Sequence, residues 1–114
     1  MHIRRTDHKD YEPARLDPTT DDEFHRWVAT LPGVYTVFLA TDNALTQREF
    51  PFAIANRLID SHPEQDTGGH RNTSLADAAV DLFVCAGAHC FMGSKHSSFA
   101  DTIVLLRSLG GWWT

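Results

Sequence analysis

The chain is poor in cysteine, in lysine and in long apolar runs. Cys85 and Cys90 are its two cysteines, too few for the disulfide framework of a small secreted domain. Their spacing does not decide between a bridge and free thiols, and the expectation is a pair of free, buried thiols. Asp, Gly or Ser interrupts every apolar stretch before it reaches membrane-spanning length, so no transmembrane helix is expected. Met1 is followed at once by His2, Ile3, Arg4 and Arg5, which is not a secretory leader. The compartment stays open, because a domain of a longer secretory-pathway protein would read the same. Positive charge is also scarce. Lys and Arg total 10 against 15 Asp and Glu, a formal charge of -5. Without a broad positive field, the chain is not expected to bind nucleic acid. Several motifs are missing too. There is no Gly-x-Ser-x-Gly elbow, no P-loop and no dinucleotide fingerprint. No Asp-x-Asp pair offers a metal bridge to a phosphate. Cys85, His89, Cys90 and His96 do not make a zinc set either. Cys85 falls in a predicted helix and Cys90 in an apolar strand, so these are expected to be core residues.

What is present suits one folded domain of 114 residues, with 42% hydrophobic and 22% charged residues. Short apolar segments read as strands at 2–6, 35–40 (Tyr-Thr-Val-Phe-Leu-Ala), 58–61 and 89–93. Helix signals fall between them. Thr20-x-x-Glu23 is a capping-box pattern ahead of Phe24, Val28 and Leu31, and Pro32-Gly33 ends that helix. A second helix is expected over 45–57, with Pro51 as a kink or break. Leu75, Ala78, Ala79, Leu82, Phe83 and Ala86 form a helical apolar stripe. Ser98-x-x-Asp101 opens a last helix carrying Ile103, Leu106 and Leu109, with Gly110 and Gly111 at its end. The stretches 11–19 and 61–73 read as loops. The alternation predicts an α/β domain: a short, mostly parallel sheet covered by helices.

Ligands of such sheets sit off the carboxyl ends of the strands. At the first such end stand Arg4 and Arg5, whose side chains alternate across the sheet. One can enter a ligand crevice, where a guanidinium fork suits a diphosphate. The plainer alternative is a salt-bridged pair with Asp7. Thr41-Asp42-Asn43 reads as a turn and helix cap. Gly93-Ser94-Lys95-His96-Ser97-Ser98 leads from strand into helix, where free N–H groups and the helix dipole favour an anion. Capping by Ser97 or Ser98 accounts for the same residues.

His2-Ile3-Arg4-Arg5-Thr6-Asp7, then 35–42, then Asp81, then Gly-Ser-Lys-His-Ser-Ser-Phe at 93–99 occur in an order that resembles the nucleotide-binding half of the GDP-fucose-dependent fucosyltransferases. That superfamily includes the α1,6-fucosyltransferases, the nodulation fucosyltransferases and the protein O-fucosyltransferases. The first block is the specific part of the resemblance. It implies a Rossmann-like three-layer domain with helices on both faces of the sheet, the C-terminal half of a GT-B-like glycosyltransferase over residues 1–114.

The resemblance further implies GDP-fucose as donor, a glycan or protein acceptor hydroxyl, inversion at the sugar, and no metal. Arg4 would hold the β-phosphate and stabilise the leaving GDP. His2 would lie against the nucleoside, and Asp81 would accept from guanine N1 and N2. Ser97, with Ser98, would hold the diphosphate at the helix start. Glu12, ten residues after His2, corresponds to the general base of the α1,6-type enzymes. Asp10, or a loop with no base, are the alternatives. The family's N-terminal domain has no counterpart in this chain. Two other readings are a non-catalytic nucleotide- or sugar-binding remnant and a structural α/β interaction module.

Overall fold

The computed structural model describes residues 1–5, 19–59 and 74–110. The chain is an α/β domain with a two-stranded parallel sheet and several helices. In order these are β1 (His2–Ile3), α1 (Asp21–Ala29), β2 (Ala40–Thr41), α2 (Ala44–Glu49), α3 (Leu75–Gly87) and α4 (Ser98–Leu109).

β1 and β2 pair with His2 opposite Ala40 and Ile3 opposite Thr41. Two isolated parallel bridges widen this pairing, His2 to Gly93 and Phe38 to Ile54. The His2 N–H donates to the Met92 carbonyl and the Ser94 N–H to the His2 carbonyl, both at 3.0 Å. On the other side the Leu39 N–H donates to the Ile54 carbonyl at 2.8 Å, and the Ile54 N–H to the Val37 carbonyl at 2.9 Å. Four extended segments therefore lie side by side in the order 54, 38–41, 1–3, 92–94.

Local signals explain most element boundaries. At α1 the Thr20 hydroxyl accepts from the Glu23 N–H and the Glu23 carboxylate from the Thr20 N–H, the complete capping box. Asn43 caps α2 by accepting from the Thr46 N–H. Ser74 caps α3. Ser97, not Ser98, caps α4. Gly110 ends α4 at φ 68°, a left-handed conformation that glycine adopts without a Cβ clash.

Four expectations are corrected. The second helix stops at Glu49 rather than running to 57. Pro51 has no N–H to continue the ladder, and the chain turns back so that Ile54, not 58–61, meets Phe38. Of the 58–61 segment only 58 and 59 are described, and they form no strand. The strands expected over 35–40 and 89–93 shrink to Ala40–Thr41 and a single bridge at Gly93. His89, Cys90 and His96 are exposed, so of that group only Cys85 is core. Both thiols are free.

Strand alternation sorts the core into two clusters. Met1, Ile3 and Leu39 pack with Phe24 of α1 and Phe50 at the end of α2. Ala40 packs with Cys85 of α3 and Ile103 of α4, and Leu82, Phe91 and Phe99 join them. Phe24, Ile3 and Ile103 are each 0% exposed, and each such side chain contributes roughly 1.5–3 kcal/mol by leaving water.

The buried face of α3 is rotated from the predicted stripe. Ala78, Asp81, Cys85 and Ala86 are buried, whereas Leu75, Ala79 and Phe83 are exposed. A carboxylate thus sits on the inward face of this helix. At the other end of α3, Arg107 from α4 donates to the carbonyls of Cys85, Ala86, Ala88 and His89. It closes the carbonyls that a helix C-terminus leaves open and places a cation at the negative end of the dipole.

Candidate functional site

Two loops meet beyond the carboxyl ends of β1 and of segment 92–94. The Arg4 N–H donates to the Ser94 hydroxyl at 3.0 Å. The Lys95 N–H donates to the hydroxyl of Thr19 at 2.9 Å. Thr19 and Ser94 are 2% and 4% exposed, so both pins are shielded from water and hold better than surface contacts. They draw Arg4, the start of α1 and the start of α4 into one place.

Arg4 and Arg5 follow directly on β1. Arg5 reaches α1, donating to Asp21 at 2.8 Å and to the Arg4 carbonyl at 3.3 Å. Asp7, the partner anticipated for this pair, lies outside the described residues. Arg4 is half-buried beside Ser94. The ring of His2, two residues earlier, lies tilted against Phe99 of α4 with ring centroids 4.6 Å apart. His2 as a whole is 9% exposed.

The start of α4 is set by three features. Gly93 lies under the helix, and a Cβ there would stand 2.6 Å from the Ala100 Cβ and 3.0 Å from the Phe91 ring. Only glycine lets α4 approach so closely. His96 adopts φ 61°, a left-handed turn that swings the chain into the helix. Ser97, 0% exposed, spends its hydroxyl on the Ala100 N–H at 3.2 Å. Ser98 is the exposed first residue of α4. The capping alternative is therefore realised at Ser97. What this loop presents to an anion is the helix terminus.

Asp81 belongs to a separate group. It is 9% exposed, and its Oδ1 has no hydrogen-bond partner among the described residues. Burial pushes its carboxyl up from 3.8 to about 6. The charge of Arg57 works against that rise and Asp77 adds to it. Arg57 pairs with Asp77 at 3.3 Å, and Asn56 donates to the Asp77 carboxylate at 3.2 Å. Gln47 fixes this segment to α2, donating to the Arg57 carbonyl and accepting from the Ile59 N–H, both at 2.8 Å. No hydrogen bond or ion pair joins Asp81 to Arg4 or Ser97 among the described residues.

Glu12 and Asp10 lie outside the described residues. Thr19, Ser94 and the Arg57–Asp77 pair were not among the predicted site residues. The doubled threonine before Glu23 and the serine directly after Gly93 were the available signals. Comparison of the chain with protein-family models, curated proteins and solved structures returns no match.

Proposed function

We propose that this chain is a nucleotide-sugar-binding domain of fucosyltransferase type, taking a guanosine diphosphate sugar at the junction of Arg4 with the start of α4. The observation that carries the reading is the pinning of the Arg4 backbone onto Ser94. It brings a strand-end arginine and the N-terminus of a 12-residue helix together. The segment order 54, 38–41, 1–3, 92–94 supports the finer fold. With the third, second, first and fourth segments side by side, it matches half of a doubly wound, Rossmann-like sheet. In such a sheet the crevice opens between the first and fourth strands, where Arg4 and Ser94 meet.

In this reading Arg4 and the α4 dipole receive the charge of the departing diphosphate, with no cation required. Asp81 supplies a carboxylate already stripped of water for the guanine N1–H and N2–H₂, which adenine cannot match. The sugar C1–O bond to the β-phosphate breaks as the acceptor oxygen bonds C1 from the opposite face. The acceptor proton passes to a carboxylate, the role that the resemblance gives to Glu12. The acceptor is a glycan or protein hydroxyl, and an N-terminal partner domain completes its site.

Calorimetric titration with GDP, ADP and UDP tests the proposal. GDP is expected to bind best, with its affinity unchanged by a chelator. Equal affinities, or no binding of GDP, refute the nucleotide reading. A strict need for Mn²⁺ or Mg²⁺ refutes the role given to Arg4.

A further inference from the structure

Asp77 and Asp81 stand one turn apart on α3, a spacing at which side chains are neighbours and like charges repel. Their oxygens are used differently. The Asp77 Oδ2 receives the Arg57 Nε at 3.3 Å, and its Oδ1 receives the Asn56 amide at 3.2 Å. The Asp81 Oδ1 is buried with no hydrogen-bond partner among the described residues. Arg57 is held from behind as well. The Gln47 amide of α2 donates to its carbonyl, and the Gln47 Oε1 accepts from the Ile59 N–H, both at 2.8 Å. The ion pair with Asp77 is partly shielded, the two side chains being 29% and 35% exposed. A guanidinium is thus fixed over the first half of α3.

A buried carboxylate that is to receive a base must be ionised and must keep its oxygens uncovered. With no cation near, burial keeps it protonated. With a cation bonded to it, it is ionised but occupied. A cation bonded to the neighbouring carboxylate meets both needs. The charge of Arg57 does work against the rise that burial and Asp77 impose on the Asp81 carboxyl. The other groups facing this side of α3 bring little charge. Ala40 of β2 and Ile103 of α4 are apolar. Cys85, one turn beyond Asp81, is pushed by burial up to about 11 and stays a neutral thiol. Arg107 of α4 is bonded to carbonyls at the far end of the helix.

We propose that Arg57 is the positioning residue of the guanine site: held on Asp77, it supplies positive charge beside Asp81 without covering the oxygen that meets the base. Asp77 is then the holder of Arg57 rather than a second base-binding carboxylate. The proposal rests on the reading of Asp81 as the guanine acceptor. It predicts opposite errors when either member of the pair is removed. Without Arg57, the Asp81 carboxylate forms at higher pH. Without the Asp77 charge, Arg57 turns to Asp81, one turn away, so that the carboxylate forms at lower pH but is occupied.

The test follows the Asp81 carboxyl carbon by NMR from pH 4 to pH 8 in the full chain without nucleotide, and GDP and ADP affinity by calorimetry over the same range. Arg57→Met is expected to move the Asp81 midpoint up by about half a pH unit or more. The rise of GDP affinity moves with it, so that GDP binds about threefold more weakly below the midpoint while ADP is unchanged. Arg57→Lys keeps the charge and returns the midpoint toward the wild-type value. Asp77→Asn is expected to lower the midpoint and yet weaken GDP at pH 7 by about threefold or more. This variant leaves the Asp77 N–H on the Ser74 cap and serves where Arg57→Met does not fold. A wild-type chain that binds GDP, with the Asp81 midpoint unmoved in a folded Arg57→Met, overturns the proposal alone. So does an Asp77→Asn chain with a lowered midpoint and tighter GDP binding. No GDP binding by the wild-type chain overturns the nucleotide reading and this proposal with it.

Discussion

Replacing Asp81 by Asn separates stability from binding at one atom. Asp81 is 9% exposed and its Oδ1 is unbonded among the described residues, so its charged form is disfavoured in the folded chain. Burial raises the carboxyl from 3.8 to about 6. At 1.36 kcal/mol per pH unit, that rise costs the folded state about 3 kcal/mol once the group is ionised. The sign follows from proton counting. Between about pH 4 and pH 6 the folded chain holds a proton that the unfolded chain has released. Stability therefore falls as pH rises through this window, and the whole cost is present above it. Asp81→Asn removes the charge and keeps the shape. It is expected to stabilise the free protein at pH 7 by about 1–3 kcal/mol and to flatten the slope between pH 4 and 6. GDP binding moves the other way. The wild-type affinity rises across the same window as the carboxylate forms, and the variant binds GDP more weakly by about 1.5–3 kcal/mol at pH 7. ADP binding changes far less. Urea titrations from pH 4 to pH 8, paired with nucleotide calorimetry, measure both effects. An Asp81→Asn protein that is less stable at pH 7, with the wild-type slope retained, refutes the buried unpartnered carboxylate. Equal losses for GDP and ADP refute its role toward guanine.

Three further outcomes follow from the same geometry. Gly93→Ala places a methyl group 2.6 Å from the Ala100 Cβ, and should cost about 1–3 kcal/mol in denaturant titration while weakening GDP through the displaced start of α4. Arg4→Lys should weaken GDP nearly as much as Arg4→Ala, because an ammonium lacks the guanidinium fork. Arg5→Lys should be milder, since Arg5 serves Asp21 on α1. Near-normal binding in Arg4→Lys with loss in Arg5→Lys would reverse the two assignments. Arg107→Ala uncovers the carbonyls at the end of α3 and should destabilise the fold by about 1–3 kcal/mol without a selective effect on GDP. Unchanged thermal stability would show that water caps that helix equally well.

The sequence by itself determined the features that depend on near neighbours. The capping box at Thr20 and Glu23, the Asn43 cap and the glycine stop at Gly110 rest on contacts within a few residues. Local spacing states those contacts directly. The helix at 75–87 was legible for the same reason, but its orientation was not. Its residues offer two apolar faces of similar strength. Only packing against Ala40 and α4 selected the one carrying Asp81 and Cys85. The third lane of the sheet depended on Pro51 ending α2 early, so that Ile54 returned beside Phe38. That is a partnership across a turn that periodicity does not encode. The site shows the same division. Arg4, His2 and the 93–98 loop stand out as residue types, whereas Thr19 and Ser94 are ordinary hydroxyls until the fold buries them. Their hydrogen bonds span 76 and 90 residues of chain, so only the tertiary structure, by closing those distances, could assemble the junction around Arg4.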